Sequence, residues 1–266
     1  MVKIIKVAAI QSKIYFNKQK TIEKIKEQIK EASKYEVDLV CLPERWNYLD
    51  GTVENDPEDL DGISNRALSS FAKEFNIHII GGAIWQKHND SLIITSSIFG
   101  TNGDRIGLQQ KQHLYLFERK YFKPGGELKL FDTKLGKLGI LICFDMTFPE
   151  APRKLTLKGA DILITPVMIR FDGIANWHIY LKARALENRI PVVGVNVVGE
   201  MLDRIYPGQS MIIDFKKGHT TPSKLDIVIG KKNEPDVVIK DIDLNYTRKL
   251  RKKRLEQRTE YDNYLL

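Results

Sequence analysis

The sequence has few cysteines, no long apolar run and no metal-binding motif, and each absence excludes a class of protein. Only two of its 266 residues are cysteine, Cys41 and Cys143, too few for the disulfide framework of a small secreted domain. No apolar stretch approaches the roughly 20 residues that a transmembrane helix needs. The five histidines show no HExxH or other metal-ligand spacing, and no CxxC pair is present. The sequence therefore predicts no disulfide, no membrane helix and no metal site.

Export and phosphate-binding signals are also absent. The chain begins MVKIIKV and passes directly into a strand-like run, without the charged, apolar and small-residue regions of a signal peptide. Free cysteines without an export signal predict a cytoplasmic protein, because thiols stay reduced there. The glycine pairs at 81–82 and 125–126 are too sparse for a phosphate-binding loop. We therefore expect no glycine-rich phosphate-binding loop.

The charge balance is basic, with 42 Lys and Arg against 34 Asp and Glu and a net charge of +8. Such a balance is compatible with a nucleic-acid partner, but the basic residues are spread along the chain. We favour the interpretation of a solvated surface over nucleic-acid binding. The exception is a basic cluster, RKLRKKRL at 248–255, which we interpret as a helix whose Leu250 and Leu255 dock on the body of the protein.

The apolar residues are arranged in alternating strand-like and helix-like segments, which predicts an α/β protein. Apolar residues form 42% of the chain and charged residues 29%, as in ordinary globular proteins. No linker or repeat divides residues 1–266, so we expect a single domain, with mixed sheets because neighbouring strand runs are joined by short turns. Helical stripes lie within 22–32, 67–75 and 177–188. The predicted strands are 6–10, 37–42, 77–84, 92–99, 138–144, 162–167, 192–198, 210–214 and 237–242.

Three reactive side chains follow or flank these predicted strands. Glu44 comes directly after an apolar run that ends at a proline, and Cys143 lies at the end of another run. Lys111 lies between them in the sequence. Taken alone, each has an ordinary interpretation as a surface glutamate, a buried inert cysteine or a solvated lysine. For Cys41, in the middle of an apolar run, we keep the interpretation of an inert buried thiol.

Taken together, these three residue types are sufficient to cleave an amide without histidine or metal. A thiolate is the nucleophilic form of cysteine, and a nearby carboxylate can remove the thiol proton and later pass it to a leaving amine. A lysine can lower the pKa of the thiol and stabilise the oxyanion. We therefore expect Cys143, unlike Cys41, to react with iodoacetamide well below pH 8.5.

The blocks around these residues closely resemble the signature blocks of the nitrilase superfamily, the carbon–nitrogen hydrolases. The three main blocks, in the order of the family, are Leu42-Pro43-Glu44, Lys111-Gln112-His113-Leu114, and Ile142-Cys143-Phe144-Asp145 with Phe148-Pro149-Glu150. Further matches are ERKYFKPG from Glu118, then Trp177, Ala183-Arg184-Ala185, Glu187-Asn188, Asn196 and Gly208-Gln209-Ser210. The resemblance covers nearly the whole chain.

The resemblance implies a fold and a role for each matched residue. The fold is a four-layer αββα sandwich, with two mixed sheets between helix layers. Glu44 would be the general base, Lys111 and the backbone N–H of Phe144 the oxyanion donors, Cys143 the nucleophile and Glu118 a supporting glutamate. The family uses no cofactor. Its subunits pair, so we expect a homodimer or a higher homo-oligomer, with the segment of about 245–266 on the body or at a subunit interface.

Two departures from the family patterns bear on the substrate. Thr147 replaces an arginine common in small amidase-type members, which affects substrate contacts more than the chemistry. Phe144-Asp145 replaces the Trp-Glu of the nitrile-cleaving branch, which favours an amidase or carbamoylase. The expected substrate is a small amide-like molecule that reacts with water. The alternatives are nitrile hydrolysis and a non-catalytic family member that acts as a binding protein.

Overall fold

The computed structural model describes residues 4–259. The helices are α1 (Lys18–Ser33), α2 (Ile63–Phe75), α3 (Glu118–Tyr121), α4 (Glu150–Leu157), α5 (Ile174–Asn188) and α6 (Leu244–Leu255), with a 3-10 helix at Cys143–Thr147. The strands are β1 (Ile4–Gln11), β2 (Leu39–Cys41), β3 (His78–Ile80), β4 (Ile84–His88), β5 (Ser91–Phe99), β6 (Arg105–Gln110), β7 (Leu130–Thr133), β8 (Gly136–Ile140), β9 (Ile162–Pro166), β10 (Val192–Val195), β11 (Val198–Met201), β12 (Arg204–Pro207), β13 (Met211–Thr220), β14 (Ser223–Ile229) and β15 (Asp236–Asp243).

Most of the strands form two mixed sheets. The first has the order β15-β1-β2-β3-β5, and both β4 and β6 pair with β5. Strands β1, β2 and β3 are parallel, whereas β15 is antiparallel to β1. The second sheet has the order β14-β13-β10-β9-β8-β7, with a parallel centre of β8, β9 and β10. Strands β11 and β12 form a separate hairpin. The parallel centres bring the carboxyl ends of β2, β8 and β9 together.

The apolar core has three main layers, and they define the architecture. One layer lies between the two sheets, where Leu39 and Ile94 of the first sheet pack in the same cluster as Ile164 and Val193 of the second. A second layer joins α1 and α2 to the outer face of the first sheet. A third joins α4 and α5 to the outer face of the second sheet. The layers are therefore stacked helix, sheet, sheet, helix, as the predicted αββα sandwich requires. No helix within residues 4–259 is long and apolar enough to cross a lipid bilayer.

Helix α1 shows how the sequence pattern produces these layers. Asn17 caps its N-terminus by accepting a hydrogen bond from the Lys20 N–H at 2.8 Å. Ile22, Ile25 and Ile29 follow at helical spacing, and all three are buried. Burying a side chain of this size stabilises the fold by about 1.5–3 kcal/mol. The capped start and apolar stripe fix α1 against the first sheet.

The basic segment near the C-terminus forms α6, and part of its charge faces inwards. Leu250 is buried, whereas Leu255 is only partly so. Arg248 makes two hydrogen bonds of 2.7 Å to the carboxylate of Asp161, and Arg251 approaches the same carboxylate at 3.5 Å. These contacts hold α6 on the body of the protein. The last part of the segment predicted to lie there, residues 260–266, is outside the described residues.

Among the predicted strands that are shorter in the structure, three are divided or ended by a backbone turn. The run 77–84 is divided at Gly82, whose φ of +67° would place a β-carbon 2.1 Å from the Pro43 carbonyl oxygen. The run 192–198 is divided by Asn196 between β10 and β11. The run 138–144 ends at Ile140, after which the chain turns into the 3-10 helix. The last two turns place side chains at the site described next.

Candidate active site

The candidate site lies where the carboxyl ends of strands from both sheets meet. Glu44 follows β2 of the first sheet, and Cys143 follows β8 of the second. The backbone N–H of Glu44 donates to the carbonyl of Val167, just after β9, at 3.2 Å. This bond ties the end of β2 directly to the second sheet. The carboxyl ends of strands are the usual location of ligands in open α/β sheets.

Lys111 lies between two carboxylates. Its Nζ donates to Oε1 of Glu44 and to Oε1 of Glu118, at 2.8 Å in each case. Lys111 is 1% exposed, Glu44 3% and Glu118 7%. The second carboxylate oxygen of Glu118 accepts from the Tyr115 N–H at 2.7 Å, which fixes its orientation. The cluster therefore contains one buried cation between two oriented buried anions.

Burial and charge act in opposite directions on this cluster. Burial alone would lower the pKa of Lys111, but the charges of Glu44, Cys143 and Glu118 outweigh it and raise that pKa above its ordinary value. Burial raises the pKa of Glu118, and the neighbouring Lys111 offsets part of this effect. Lys111 is therefore a permanent cation at physiological pH, as a donor to a developing oxyanion must be.

Cys143 begins the 3-10 helix in a left-handed backbone conformation, with φ at +45°. This region is unfavourable for a residue with a β-carbon and persists only where the surroundings enforce it. As a whole residue Cys143 is partly exposed, in contrast to the fully buried Cys41, but it packs against the cores on both faces of the second sheet. The sharp turn therefore directs the side chain of Cys143 out of the sheet at the end of β8.

Asp145 holds this turn in place and joins it to the lysine segment. One of its carboxylate oxygens accepts from the Ile142 N–H at 3.0 Å. The other accepts from the N–H groups of Gln112 and His113, at 3.2 and 2.7 Å, and lies 2.9 Å from Nδ1 of His113. Asp145 is completely buried. A single carboxylate thus fixes the positions of Cys143 and Lys111 relative to each other.

Arg184 of α5 supports the same turn from the helix layer. Its Nε donates to the carbonyl of Met146 at 3.0 Å and its NH2 group to that of Thr147 at 2.7 Å. These are the last carbonyls of the 3-10 helix, which have no partner within the helix itself. The His113 ring stacks on Phe148 with ring centroids 4.1 Å apart, which closes the turn on its other side.

The pKa of the Cys143 thiol is raised well above its ordinary value. Burial is the main cause, the negative charge of Glu44 adds to it, and Lys111 and the Met168 N–H act in the opposite direction. The sequence-based expectation of an unusually acidic thiol, reactive well below pH 8.5, therefore disagrees with the structure. Cys143 rests in the neutral form, and a base is needed to ionise it. Burial likewise raises the pKa of Cys41.

The structure brings all the predicted site residues together. Glu44, Lys111 and Glu118 are in direct contact, and the charges of all three act on Cys143. The N–H of Phe144, next to Cys143, takes no part in the backbone hydrogen bonds formed within residues 4–259. It is therefore available as a donor beside the sulfur.

Sequence reasoning did not find the positioning residues. Asp145 and Arg184 lie in the family blocks, but the sequence assigns them no role, because they act through contacts with backbone groups distant in the sequence. Asn196 is a third case: its Oδ1 accepts from the Ile169 N–H at 2.8 Å and its Nδ2 donates to the Gly208 carbonyl at 2.9 Å. It fixes the loop that carries Met168. The only signal for Asn196 in the sequence is its position as a polar amide within the apolar run 192–198.

The αββα sandwich carries a buried Glu–Lys–Glu cluster beside a strained cysteine, at the positions of the signature blocks. The sequence profile of the family described as carbon-nitrogen hydrolase matches residues 6–252. The chain therefore belongs to the carbon–nitrogen hydrolases, the nitrilase superfamily, and is a hydrolase of carbon–nitrogen bonds. The resemblance drawn from the motifs is confirmed.

Individual proteins agree with this assignment over most of their length. A deaminated glutathione amidase of Dictyostelium discoideum is 33% identical over 256 residues, 86% of this chain and 84% of that protein. The omega-amidase NIT2-B of Xenopus laevis is 30% identical over 260 residues, 92% of this chain and 91% of that protein. The solved structure of Saccharomyces cerevisiae Nit3, of branch 10 of the superfamily, has a TM-score of 0.84 and 25% identity, covering 98% and 97% of the two chains. The predicted fold class is confirmed.

Proposed function

We propose that the protein is an amidase that hydrolyses a small amide through a thioester on Cys143, with Glu44 as general base and Lys111 as oxyanion donor. The observation that carries the proposal is the buried cluster, in which Lys111 bonds to Glu44 and Glu118 at 2.8 Å and acts electrostatically on Cys143. Burying three charged groups is costly. A binding module would have no use for such a cluster beside a strained cysteine.

The first chemical step is the formation of the thiolate. Because burial and the charge of Glu44 raise the pKa of the Cys143 thiol, the sulfur does not ionise on its own at physiological pH. Glu44 removes the thiol proton as the sulfur attacks the carbonyl carbon of the amide. The proton is then held on the Glu44 carboxyl, and the substrate oxygen carries the negative charge.

The oxyanion is stabilised by donors already in place. Lys111 supplies a buried cation, and the Phe144 N–H supplies a neutral donor next to the sulfur. Glu118 holds Lys111 from the side opposite Glu44, so that the ammonium group cannot follow Glu44 when that carboxyl is protonated. Removing one donor of this kind typically costs about 2.7–4 kcal/mol of transition-state stabilisation.

Release of the nitrogen completes the first half of the reaction. Glu44 returns its proton to the departing nitrogen, the carbon–nitrogen bond breaks, and ammonia or an amine leaves the acyl group on the sulfur of Cys143. Glu44 then removes a proton from a water molecule, which attacks the thioester carbonyl. The carboxylic acid leaves, and the thiol is restored.

The substrate class follows from the amidase-named relatives and the residues after the nucleophile. Omega-amidases and the deaminated glutathione amidase are named for small amides. Phe144-Asp145 in place of Trp-Glu favours amides and carbamoyl compounds over nitriles. A small carboxamide, a dicarboxylic monoamide or a carbamoyl amine is therefore the proposed substrate.

An ammonia-release screen over amides, omega-amides, carbamoyl compounds and nitriles tests the proposal. We expect turnover of amides by the wild-type protein and none by Cys143→Ala, with the fold of the variant verified by circular dichroism. Cys41→Ala is the matched control and should retain activity, because Cys41 is fully buried within β2 among apolar side chains. Full turnover by Cys143→Ala, or hydrolysis of nitriles alone, would overturn the proposal.

A further inference from the structure

Three consecutive large apolar side chains are exposed beside the candidate site, in the segment between Lys111 and Glu118. Tyr115 is 43% exposed, Leu116 68% and Phe117 46%. A run of exposed apolar side chains on a soluble protein marks a surface that contacts a ligand or a partner. We call these three residues, 115–117, the apolar wall.

Hydrogen bonds fix the apolar wall on the charged cluster. The Tyr115 N–H donates to Oε2 of Glu118 at 2.7 Å, and Oε1 of Glu118 accepts from Lys111. The carbonyls of the three wall residues accept from successive N–H groups at the start of α3, at 2.9, 3.2 and 3.0 Å. Leu116 has a left-handed backbone, with φ at +37°, which persists only where the surroundings enforce it. The wall is therefore a preformed surface.

One end of the wall lies against the residue that follows the nucleophile. The Tyr115 ring makes an edge-to-face contact with the Phe144 ring, with centroids 5.1 Å apart. Phe144 contacts Phe148 in the same way, at 5.0 Å. Because Phe144 directly follows Cys143, aromatic rings line the surface next to the residue that would carry the acyl group.

The other end of the wall reaches the side of the site that carries the base. Phe117 packs edge-on against Trp85, with ring centroids 6.3 Å apart. The guanidinium of Arg45 stacks on the same indole at 3.7 Å, and Arg45 directly follows Glu44. The wall therefore extends from the side of the nucleophile to the side of the base, with Leu116 in the middle. This continuity with the site favours a group of the substrate as its occupant over a second copy of the chain.

We infer that the apolar wall binds the apolar side chain of the acyl group, so that the enzyme prefers primary amides of aliphatic or aryl-aliphatic acids. Covering the wall removes apolar surface from water, which is favourable in proportion to the area covered. A carboxylate at the same place would lose water and gain no ion pair from these three side chains. The inference rests on the proposed amidase function and narrows its substrate class.

Steady-state kinetics with a series of primary amides test the inference. The acyl chain of acetamide is too short to cover the wall, whereas pentanamide is longer, and succinamate carries a carboxylate in place of the apolar end of pentanamide. We expect the wild-type kcat/KM to rise by about two- to fourfold for each CH2 group from acetamide to pentanamide. Succinamate should be hydrolysed about tenfold less efficiently than pentanamide. A preference for succinamate over pentanamide would overturn the inference.

The double variant Leu116→Ser/Phe117→Ser removes most of the wall and leaves the backbone bond of Tyr115 in place. Its kcat/KM should fall by about ten- to fiftyfold on pentanamide, chiefly through KM, and by no more than about twofold on acetamide. An equal loss on both amides would show that the wall supports the fold of the site and does not bind the acyl chain.

Ile4→Ser/Tyr35→Ser is the matched control for this variant. It also replaces one aliphatic and one aromatic side chain, which are 52% and 54% exposed. Ile4 begins β1 and Tyr35 precedes β2, so both lie at the amino ends of the parallel strands, opposite the site. The control should match the wild-type protein on every amide, and circular dichroism verifies the fold of both double variants.

A binding measurement separates the inference from the proposed function. 3-Phenylpropionamide is titrated calorimetrically into Cys143→Ala, with and without Leu116→Ser and Phe117→Ser. We expect the protein with the two serines to bind about tenfold more weakly. If the wild-type protein hydrolyses none of the amides but binding still depends on the wall, the amidase proposal fails and the apolar site stands. If binding does not depend on the wall, the inference is wrong.

Light scattering distinguishes a substrate surface from a contact between copies of the chain. The Leu116→Ser/Phe117→Ser protein should have the same mass in solution as the wild-type protein. A smaller mass, together with an unchanged ratio of pentanamide to acetamide hydrolysis, would assign the wall to a subunit contact and overturn the inference.

Discussion

At the residue scale, the candidate site depends on how one cation is shared between two carboxylates. Lys111 bonds to Glu44 and to Glu118 at 2.8 Å in each case, so one ammonium group serves two carboxyl groups. Burial is the main cause of the raised pKa of the Cys143 thiol and the charge of Glu44 adds to it, so the proposed reaction needs Glu44 to remove the thiol proton. A neutral thiol is a weaker nucleophile than a thiolate, so we expect the resting site to react slowly with alkylating agents near neutral pH.

Replacing Lys111 by Met tests this balance. Lys111 lowers the pKa of Cys143, so its removal raises that pKa, and iodoacetamide alkylation of Cys143 should require a higher pH than in the wild-type protein. Hydrolysis should fall by at least a hundredfold. Two buried carboxylates lose their cation, so the free energy of unfolding should fall by about 3–5 kcal/mol. The extent of Cys143 alkylation is measured by peptide mapping at several pH values. Alkylation of the variant at a lower pH than the wild-type protein would contradict the account.

Asp145 provides a second prediction at this scale. In Asp145→Asn one of the acceptor oxygens becomes an NH2 group, which cannot accept from the Ile142 or His113 N–H. We expect a loss of about 1–3 kcal/mol in stability, and a fall in kcat larger than the rise in KM, because the nucleophile and Lys111 lose their alignment. Asp132→Asn, at an exposed carboxylate, is the control. An unchanged kcat in Asp145→Asn would show that Asp145 does not hold Cys143 and Lys111 in alignment.

At the scale of the element, the sequence predicted the strands with continuous apolar runs and the helices with clear stripes. It missed β6, β7, β12 and β14, because strands such as RIGLQQ and SKLDIVI mix polar and apolar residues. The predicted strand also continued from β8 through Cys143. No residue pattern near Cys143 indicates that the Asp145 carboxylate binds the Ile142 N–H and stabilises a 3-10 turn there. Glu44, Lys111 and Cys143 were found through their motifs, whereas the positioning contacts of Asp145 and Arg184 join backbone groups distant in the sequence.

Helix α6 offers a test at this scale through its contact with Asp161. Burial raises the pKa of Asp161, but hydrogen bonds from Arg248 and the Lys137 N–H outweigh it, so that pKa lies below its ordinary value. The contact therefore stabilises the fold above the unfolded-chain pKa of about 3.9 and loses this effect as the pH falls through the folded pKa.

Asp161→Asn should therefore be less stable than the wild-type protein by about 1.5–3 kcal/mol at pH 7, nearer the lower figure because Arg248 is partly exposed. The difference should shrink steadily as the pH falls below about 4, since the wild-type carboxylate is then neutralised. Urea unfolding at several pH values makes the comparison. A difference that does not vary with pH would show that the ion pair does not hold α6.

At the scale of the whole molecule, the two sheets are joined by one continuous apolar layer that also supports the site. Ile164 of β9 is completely buried in that layer. Ile164→Ala should lower the free energy of unfolding by about 2–5 kcal/mol, and Ile4→Ala, at a half-exposed position, should have a much smaller effect. Coincident urea transitions by near- and far-UV circular dichroism would support the predicted single domain of residues 1–266. Two separate transitions would contradict it.

The homo-oligomer and the cytoplasmic setting stay predictions. Light scattering on the purified protein would measure its mass in solution against the 30.6 kDa of one chain.

Mass spectrometry of the acid-quenched enzyme tests the central claim most directly. During turnover of a hydrolysed amide, a fraction of the intact protein should gain the mass of the acyl group, and peptide mapping should place that mass on Cys143. Cys143→Ala should show no such gain, and Cys41→Ala should show it undiminished. Acylation of Cys41, or turnover by an enzyme whose Cys143 is never acylated, would contradict the account.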